Sequence, residues 1–142
     1  MMHPLPNIAV IGSGYWGKNL VRNYHQIGAL KLICDTNETT LSSFKAQYPD
    51  VETSQAYSDL LSRQDIEGIV IATPAETHHT LAREALLAGK HVYVEKPLVL
   101  NEEDGLELID LAKTGDRVLM VGHLLQYHPV FQKLKEMTAA GE

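Results

Sequence analysis

Gly12-Ser13-Gly14-Tyr15-Trp16-Gly17 and Asp35 are the residues whose types and spacing point most directly to chemistry. In a Gly-x-Gly-x-x-Gly array between a strand and a helix, the first glycine permits a tight turn. The second lets the main chain approach a pyrophosphate, and the third lets helix and strand pack closely. The apolar run Asn7–Ile11 precedes the array and a helical pattern follows it, which is the context such a reading requires. Main-chain N–H groups around Tyr15 and Trp16 then lie at the positive end of a helix dipole, where a phosphate is stabilised. Asp35 closes the next apolar run, 18 residues after Gly17. That is near the spacing of about 20 at which a carboxylate accepts hydrogen bonds from an adenosine ribose. Its charge would repel a 2′-phosphate, and neither Thr36 nor Asn37 supplies a compensating arginine, so the expected cofactor is NAD rather than NADP. Without a ligand, the same residues would form an ordinary tight strand–helix turn.

Three later segments offer polar groups at the ends of apolar runs. In Thr73-Pro74 the proline keeps Thr73 extended, so the threonine presents its hydroxyl or main chain to a cofactor or simply staples a loop. His78 and His79 follow at the start of a helix; adjacent helical residues do not share a face, so they are a poor metal pair. One of them touching cofactor or substrate is the alternative to two solvent-exposed histidines. Glu95-Lys96-Pro97 places a lysine where it could stabilise a developing alkoxide or relay a proton during hydride transfer. The competing reading is a surface Glu–Lys pair of little energetic consequence. Gly122-His123-Leu124-Leu125-Gln126-Tyr127-His128-Pro129 carries His123, Gln126 and Tyr127 as rim residues, and the His123–His128 spacing is too loose to imply a metal. No Gly-x-Ser-x-Gly elbow or paired carboxylates point to hydrolysis.

The elements that must position these groups alternate between short apolar runs and longer periodic segments. Strands are expected at Asn7–Ile11, Leu30–Cys34, Gly68–Ala72, His91–Val94 and Arg117–Val121, with a weaker one near Val51–Thr53. Helices are expected where Leu20, Val21, Tyr24 and Ile27 share a face before Gly28, and over about Thr39–Tyr48, Tyr57–Ser62 and Glu76–Ala88. Asn101 caps a further helix whose apolar face is read as Leu106, Ile109 and Ala112, and Pro129 opens a last one through Phe131, Leu134 and Met137. This alternation predicts an α/β Rossmann fold: one doubly wound parallel sheet in the order 3-2-1-4-5-6, covered on both faces. Its switch point lies between strands one and four, so the loops beginning near Thr73, Glu95 and Gly122 line one rim. Adenosine would lie toward strand two and nicotinamide near this rim.

Bulk properties narrow the classes. The chain has 142 residues, 44% hydrophobic and 21% charged, the composition of one globular domain, and a net charge of −6 argues against a nucleic-acid partner. No apolar run approaches the roughly 18 residues of a membrane span. Met1-Met2-His3-Pro4 does not resemble the start of a secretory signal, and the one cysteine, Cys34, sits in an apolar run as a small core residue. A cytoplasmic protein is the expectation.

Taken together, the glycine array, Asp35, Ala72-Thr73-Pro74 with His78, and Glu95-Lys96-Pro97 resemble the N-terminal half of the Gfo/Idh/MocA oxidoreductases, the family of glucose–fructose oxidoreductase and inositol dehydrogenase. The resemblance runs from Asn7 to the end of the chain. It implies a catalytic Lys96, a cis peptide bond before Pro97, and NAD held by Gly12, Gly14, Tyr15, Trp16, Gly17, Asp35, Thr73, Pro74, His78, Glu95, Lys96 and Pro97. It also implies hydride transfer at a sugar or polyol carbon. Leu124 and Gln126 depart from the family's common Gly-x-Asn-x-Arg pattern, and the segment 122–129 resembles instead the branch oxidising UDP-N-acetylglucosamine-type uronates at C3. Such relatives continue into a second α/β domain that supplies the substrate pocket and most oligomer contacts. The expectation is therefore an NAD(P)-binding domain over 1–142 without the substrate domain, binding NAD(H) but showing little dehydrogenase activity alone. Its exposed rim would be partly apolar and open to self-association as a homo-oligomer. The alternative is a stand-alone NAD(H)-binding sensor or regulatory module, which would not need a rim lysine; a flavin or S-adenosylmethionine site would leave the later rim motifs without a role.

Overall fold

The computed structural model describes residues 5–141; the N-terminal residues 1–4 read above for a signal, and residue 142, lie outside the described residues. Its strands are β1 (Ile8–Ile11), β2 (Leu30–Cys34), β3 (Glu52–Ser54), β4 (Gly68–Ile71), β5 (His91–Val94) and β6 (Leu119–Val121). Its α-helices are α1 (Gly17–Gln26), α2 (Glu38–Gln47), α3 (Tyr57–Ser62), α4 (His78–Leu87), α5 (Glu102–Thr114) and α6 (Pro129–Ala140). Single 3₁₀ turns, Ala75–Thr77 and Leu124–Tyr127, precede α4 and α6. The strands form one sheet in the order β3-β2-β1-β4-β5-β6, every neighbouring pair parallel, as the alternating pattern predicts.

Strand residues of alternate parity enter opposite cores, which is what a sheet covered on both faces demands. Val10 of β1 packs with Val21, Ile33, Leu41 and Val70 beneath α1 and α2. Ala9 and Ile11 pack on the other side with Leu60, Ile69, Ile71, Ala85 and Leu108 beneath α3, α4 and α5. Asn37 and Asn101 cap α2 and α5 by accepting from the N–H groups of Thr40 and Asp104. Gly28, at φ +77°, follows α1.

Two details of helix orientation differ from the expected faces. In α5, Leu106 and Ile109 are 58% and 40% exposed, whereas Leu108 and Ala112 are buried with Leu111 packed beside them. The helix carries two apolar stripes, and docking against α4 and the sheet chooses the one containing Leu108. Ile27 likewise stays exposed, because α1 ends at Gln26 before the position reaches the core. The last helix buries none of its residues; Val130, Phe131, Leu134 and Met137 are exposed along it, with Leu124, Leu125 and Tyr127 on the preceding turn.

Lys90 is a buried cation with a defined task. At 5% exposure its Nζ donates to the carbonyls of Arg63 and Ile66, at 2.5 and 2.9 Å, closing the loop between α3 and β4. Burial pushes its ammonium below the usual lysine range, with nearby Asp65 opposing the shift. Lys90→Met fills the stem's space and leaves both carbonyls without a donor. It is expected to cost about 2 kcal/mol, part of the carbonyl penalty being offset by no longer burying a charge. Urea unfolding of the two proteins measures it; an equal midpoint would refute the role.

Candidate functional site

The glycine turn connects β1 to α1, and each glycine meets the surroundings its position demands. Gly12 has φ +82°, and a Cβ there would lie 2.7 Å from the Ala72 carbonyl oxygen, so the turn rests directly on the end of β4. A Cβ on Gly17 would lie 1.8 Å from the Gly12 carbonyl oxygen, which brings α1 against the turn. A Cβ on Gly14 would meet nothing within 4 Å. The space above Gly14 is thus open for a ligand, while the other two positions are closed by the protein itself. Among the described residues, the N–H groups of Tyr15 and Trp16 find no acceptor, and Lys18 N–H returns to the Gly14 carbonyl as the helix begins. An open glycine beside N–H groups without an acceptor at a helix start fits a pyrophosphate.

Asp35 stands just beyond β2, and its carboxylate is held by the turn. Oδ2 accepts from the Ser13 N–H at 2.9 Å and the Ser13 hydroxyl at 2.8 Å, and Oδ1 accepts from the Asn37 N–H at 2.9 Å. Partial burial pushes the carboxyl upward, but the hydrogen bonds from Asn37, Ser13 and Thr36 outweigh it and hold Asp35 below the usual carboxylate range. It is therefore a fixed anion beside the glycine turn. Ser13, buried and not among the residues expected to form the site, helps orient it; only the small polar character of the residue between the first two glycines hinted at this.

The acid response follows from the same sign. Glu52, paired with Arg63 and Lys31, and Glu107, paired with Arg83 and His79, are held below the usual range as well. A carboxylate depressed in the folded state contributes stability above its unfolded value of about 4, and the contribution is lost as pH falls through the lower folded value. The urea midpoint is expected to be insensitive to these groups from about pH 5 to 8 and to fall below about pH 4; a rising midpoint on acidification would contradict it.

On the rim, the loops after β4 and β5 come together. Thr77 Oγ1 spends its hydrogen on the Pro74 carbonyl at 2.7 Å, so in its 2.7 Å contact with Thr73 Oγ1 the Thr73 hydroxyl is the donor. The hydroxyl is thus engaged in stapling the loop and faces a ligand only as an acceptor. His78 is 1% exposed, with Nδ1 2.7 Å from the Pro97 carbonyl and Nε2 2.9 Å from the Thr73 carbonyl. His79 lies on the outer side of α4, where its Nε2 sits 2.8 Å from Glu107 Oε2 and 3.8 Å from Asp104 Oδ1, tying α4 to α5 together with the Arg83–Glu107 pair. These partners are far apart in the chain and have no local signature.

Glu95 is 7% exposed and accepts from the Tyr93 hydroxyl at 2.9 Å and from the Lys96 N–H at 3.3 Å. Burial, and then the carboxylate accepting its hydrogen, push the Tyr93 phenol well above its ordinary range. No side-chain ion pair joins Glu95 to Lys96 among the described residues, so the surface-pair reading fails: Glu95 is an interior acceptor and Lys96 an exposed amine. The Lys96–Pro97 bond is cis, as the resemblance implies. A Cβ on Gly122 would stand 2.5 Å from the Tyr93 hydroxyl, so the loop after β6 closes on the same Tyr93–Glu95 pair, and His123, Gln126 and Tyr127 lie exposed beyond it. Cys34 is buried, its thiol pushed up to about 11 by burial and by the charges of Asp35 and Asp59, as a core residue would be.

Residues 6–123 match the Gfo/Idh/MocA family model, described as an oxidoreductase family with an NAD-binding Rossmann fold. The chain is 34% identical over 125 residues to a glycosyl hydrolase family 109 protein of Shewanella amazonensis, spanning 80% of this chain and 28% of that protein. It is 30% identical over 132 residues to the UDP-N-acetylglucosamine 3-dehydrogenase of Acidithiobacillus ferrooxidans, spanning 89% and 40% of the two. The crystal structure of the WlbA dehydrogenase from Bordetella pertussis, in complex with NADH and UDP-GlcNAcA, superposes with a TM-score of 0.90 at 27% identity, covering 99% of this chain and 43% of the other. The chain thus spans well under half the length of these relatives. No helix among the described residues is long and apolar enough to cross a membrane. With its open glycine turn, its anchored Asp35 and a family match running from β1 through β6, the chain belongs to the Gfo/Idh/MocA oxidoreductases and carries their NAD-binding Rossmann fold.

Proposed function

We propose that this chain is the cofactor-binding part of an NAD-dependent dehydrogenase acting on a hydroxyl of a sugar or nucleotide sugar. The observation that carries the reading is the open Gly14 beneath the free N–H groups of Tyr15 and Trp16, with the Asp35 anion fixed beside it by Ser13. Those N–H groups would hold the pyrophosphate, and Asp35 would accept from the adenosine ribose while repelling a 2′-phosphate. A bound nicotinamide supplies the hydride acceptor or donor. Lys96, exposed at the rim, would donate to the oxygen of the reacting hydroxyl and carry its proton, while Thr73, Pro74, Glu95 and Pro97 shape the floor beneath it. The relatives' names, a dehydrogenase of UDP-N-acetylglucosamine and a glycosyl hydrolase, share a sugar, which supports that substrate class.

The same reading has the protein working in the cytoplasm as a homo-oligomer, without nucleic-acid or membrane partners, in keeping with its net charge of −6 and its single buried free cysteine. Calorimetric titration with NADH and NADPH side by side tests the cofactor half of the proposal. Tighter binding of NADH is the expected result; binding of neither, or equal binding of both, would sink it.

A further inference from the structure

We infer that His78 is a positioning residue that locks the Lys96–Pro97 turn to the Thr73–Pro74 turn, an inference that rests on the nicotinamide end of the site lying at this rim. The two carbonyls that His78 reaches, those of Pro97 and Thr73, belong to the loops leaving the adjacent strands β5 and β4. The imidazole is rigid and its two nitrogens diverge in fixed directions, so contacts of 2.7 and 2.9 Å on opposite sides fix both the separation and the mutual orientation of the loops. A carbonyl oxygen only accepts, so a ring nitrogen that carries a hydrogen donates it to the carbonyl it faces. With the ring 1% exposed and both nitrogens against main chain, His78 has no atom left for a cofactor and acts through the loops.

What it holds is the main chain on one side of Lys96. The other side is held by Glu95, whose Oε2 accepts the Lys96 N–H and whose Oε1 accepts from Tyr93. The Lys96 side chain itself is exposed and in no ion pair among the described residues, so this main chain is what sets the point and direction at which the side chain leaves the loop. The glycine turn and Asp35 make no hydrogen bond to His78. The glycine turn meets this loop by packing, Gly12 against the Ala72–Thr73 main chain, so loss of the ring is felt chiefly at the nicotinamide end of a dinucleotide.

The experiment compares the wild-type chain with His78→Gln and His78→Asn by calorimetry, using NADH and, separately, ADP, which carries only the adenosine and pyrophosphate end. NADH affinity is expected to fall about tenfold in both variants while ADP affinity stays within about twofold. Hydrogen exchange should quicken over residues 96–99 without change in β1 and β4. A parallel loss of NADH and ADP binding with a lowered melting temperature would make His78 merely structural and overturn the inference, as would unchanged NADH binding. A His78 ring N–H that exchanges in wild-type NMR spectra as fast as an exposed histidine's overturns it even if neither variant folds. Wild-type protein that binds ADP but not NADH overturns the rim reading itself, and one that binds neither overturns the NAD reading beneath it.

Discussion

Gly17→Ala is expected to abolish NADH binding and to destabilise the chain by about 3 kcal/mol. A Cβ at this position would lie 1.8 Å from the Gly12 carbonyl oxygen and 2.8 Å from its carbon. Both atoms are main chain, so no side chain can rotate away; α1 must lift from the turn and carry the N–H groups of Tyr15 and Trp16 with it. Thermal unfolding should show a melting temperature lower by about 10 °C, and calorimetry with NADH should show no heat. The informative control is Gly14→Ala. Its Cβ meets nothing within 4 Å, so stability should change by less than about 1 kcal/mol, yet NADH binding should fall because the methyl group occupies the approach to the pyrophosphate. If both substitutions unfold the protein equally, or if Gly14→Ala binds NADH like wild type, the turn is a structural feature and not a cradle.

Asp35→Ala is expected to weaken NADH binding about a hundredfold, or about 2.7 kcal/mol, and to change NADPH binding far less. Hydrogen bonds from ribose hydroxyls to a fixed carboxylate are each worth about 1.5–3 kcal/mol. The same charge opposes a 2′-phosphate, so its removal subtracts from one cofactor and relieves the other. The strength expected here depends on the carboxylate being already oriented by Ser13 and Asn37, because no ordering cost is then left for the ligand to meet. Ser13→Ala removes one of those bonds and should produce a smaller loss in the same direction. An NADH-to-NADPH preference that survives Asp35→Ala unchanged would assign the discrimination elsewhere.

Legibility varied with how local each cause is. The glycine roles were readable because φ +82° at Gly12 and the absence of a Cβ at Gly17 are requirements of the turn itself, met within a few residues. The sheet order followed from short apolar runs alternating with longer periodic segments, joined by crossovers of one hand. The face of α5 was not readable. Leu106, Ile109 and Ala112 form one acceptable stripe and Leu108, Leu111 and Ala112 another, and helical periodicity is satisfied by both. Nor could two neighbouring histidines be told apart: one residue of rotation sends His78 inward to two carbonyls and His79 outward to Glu107.

By itself, then, the sequence determined the α/β architecture, the glycine turn with Asp35 opposite it, and the order of motifs that marks the family. These rest on near-neighbour geometry and hydrophobic pattern, which any chain with these residues must express. The tertiary structure alone decided that Ser13 anchors Asp35, that Glu95 lies buried against Tyr93 and leaves Lys96 as the exposed amine, and that His78 joins two loops. The Ser13–Asp35 and His78 contacts are set by which strands lie side by side, whereas the Tyr93–Glu95 bond is local and only the burial of Glu95 comes from the tertiary structure. Strands β4 and β5 are separated in the chain by the whole of α4, yet their loops end within reach of one imidazole ring, a proximity created by the sheet rather than by sequence spacing.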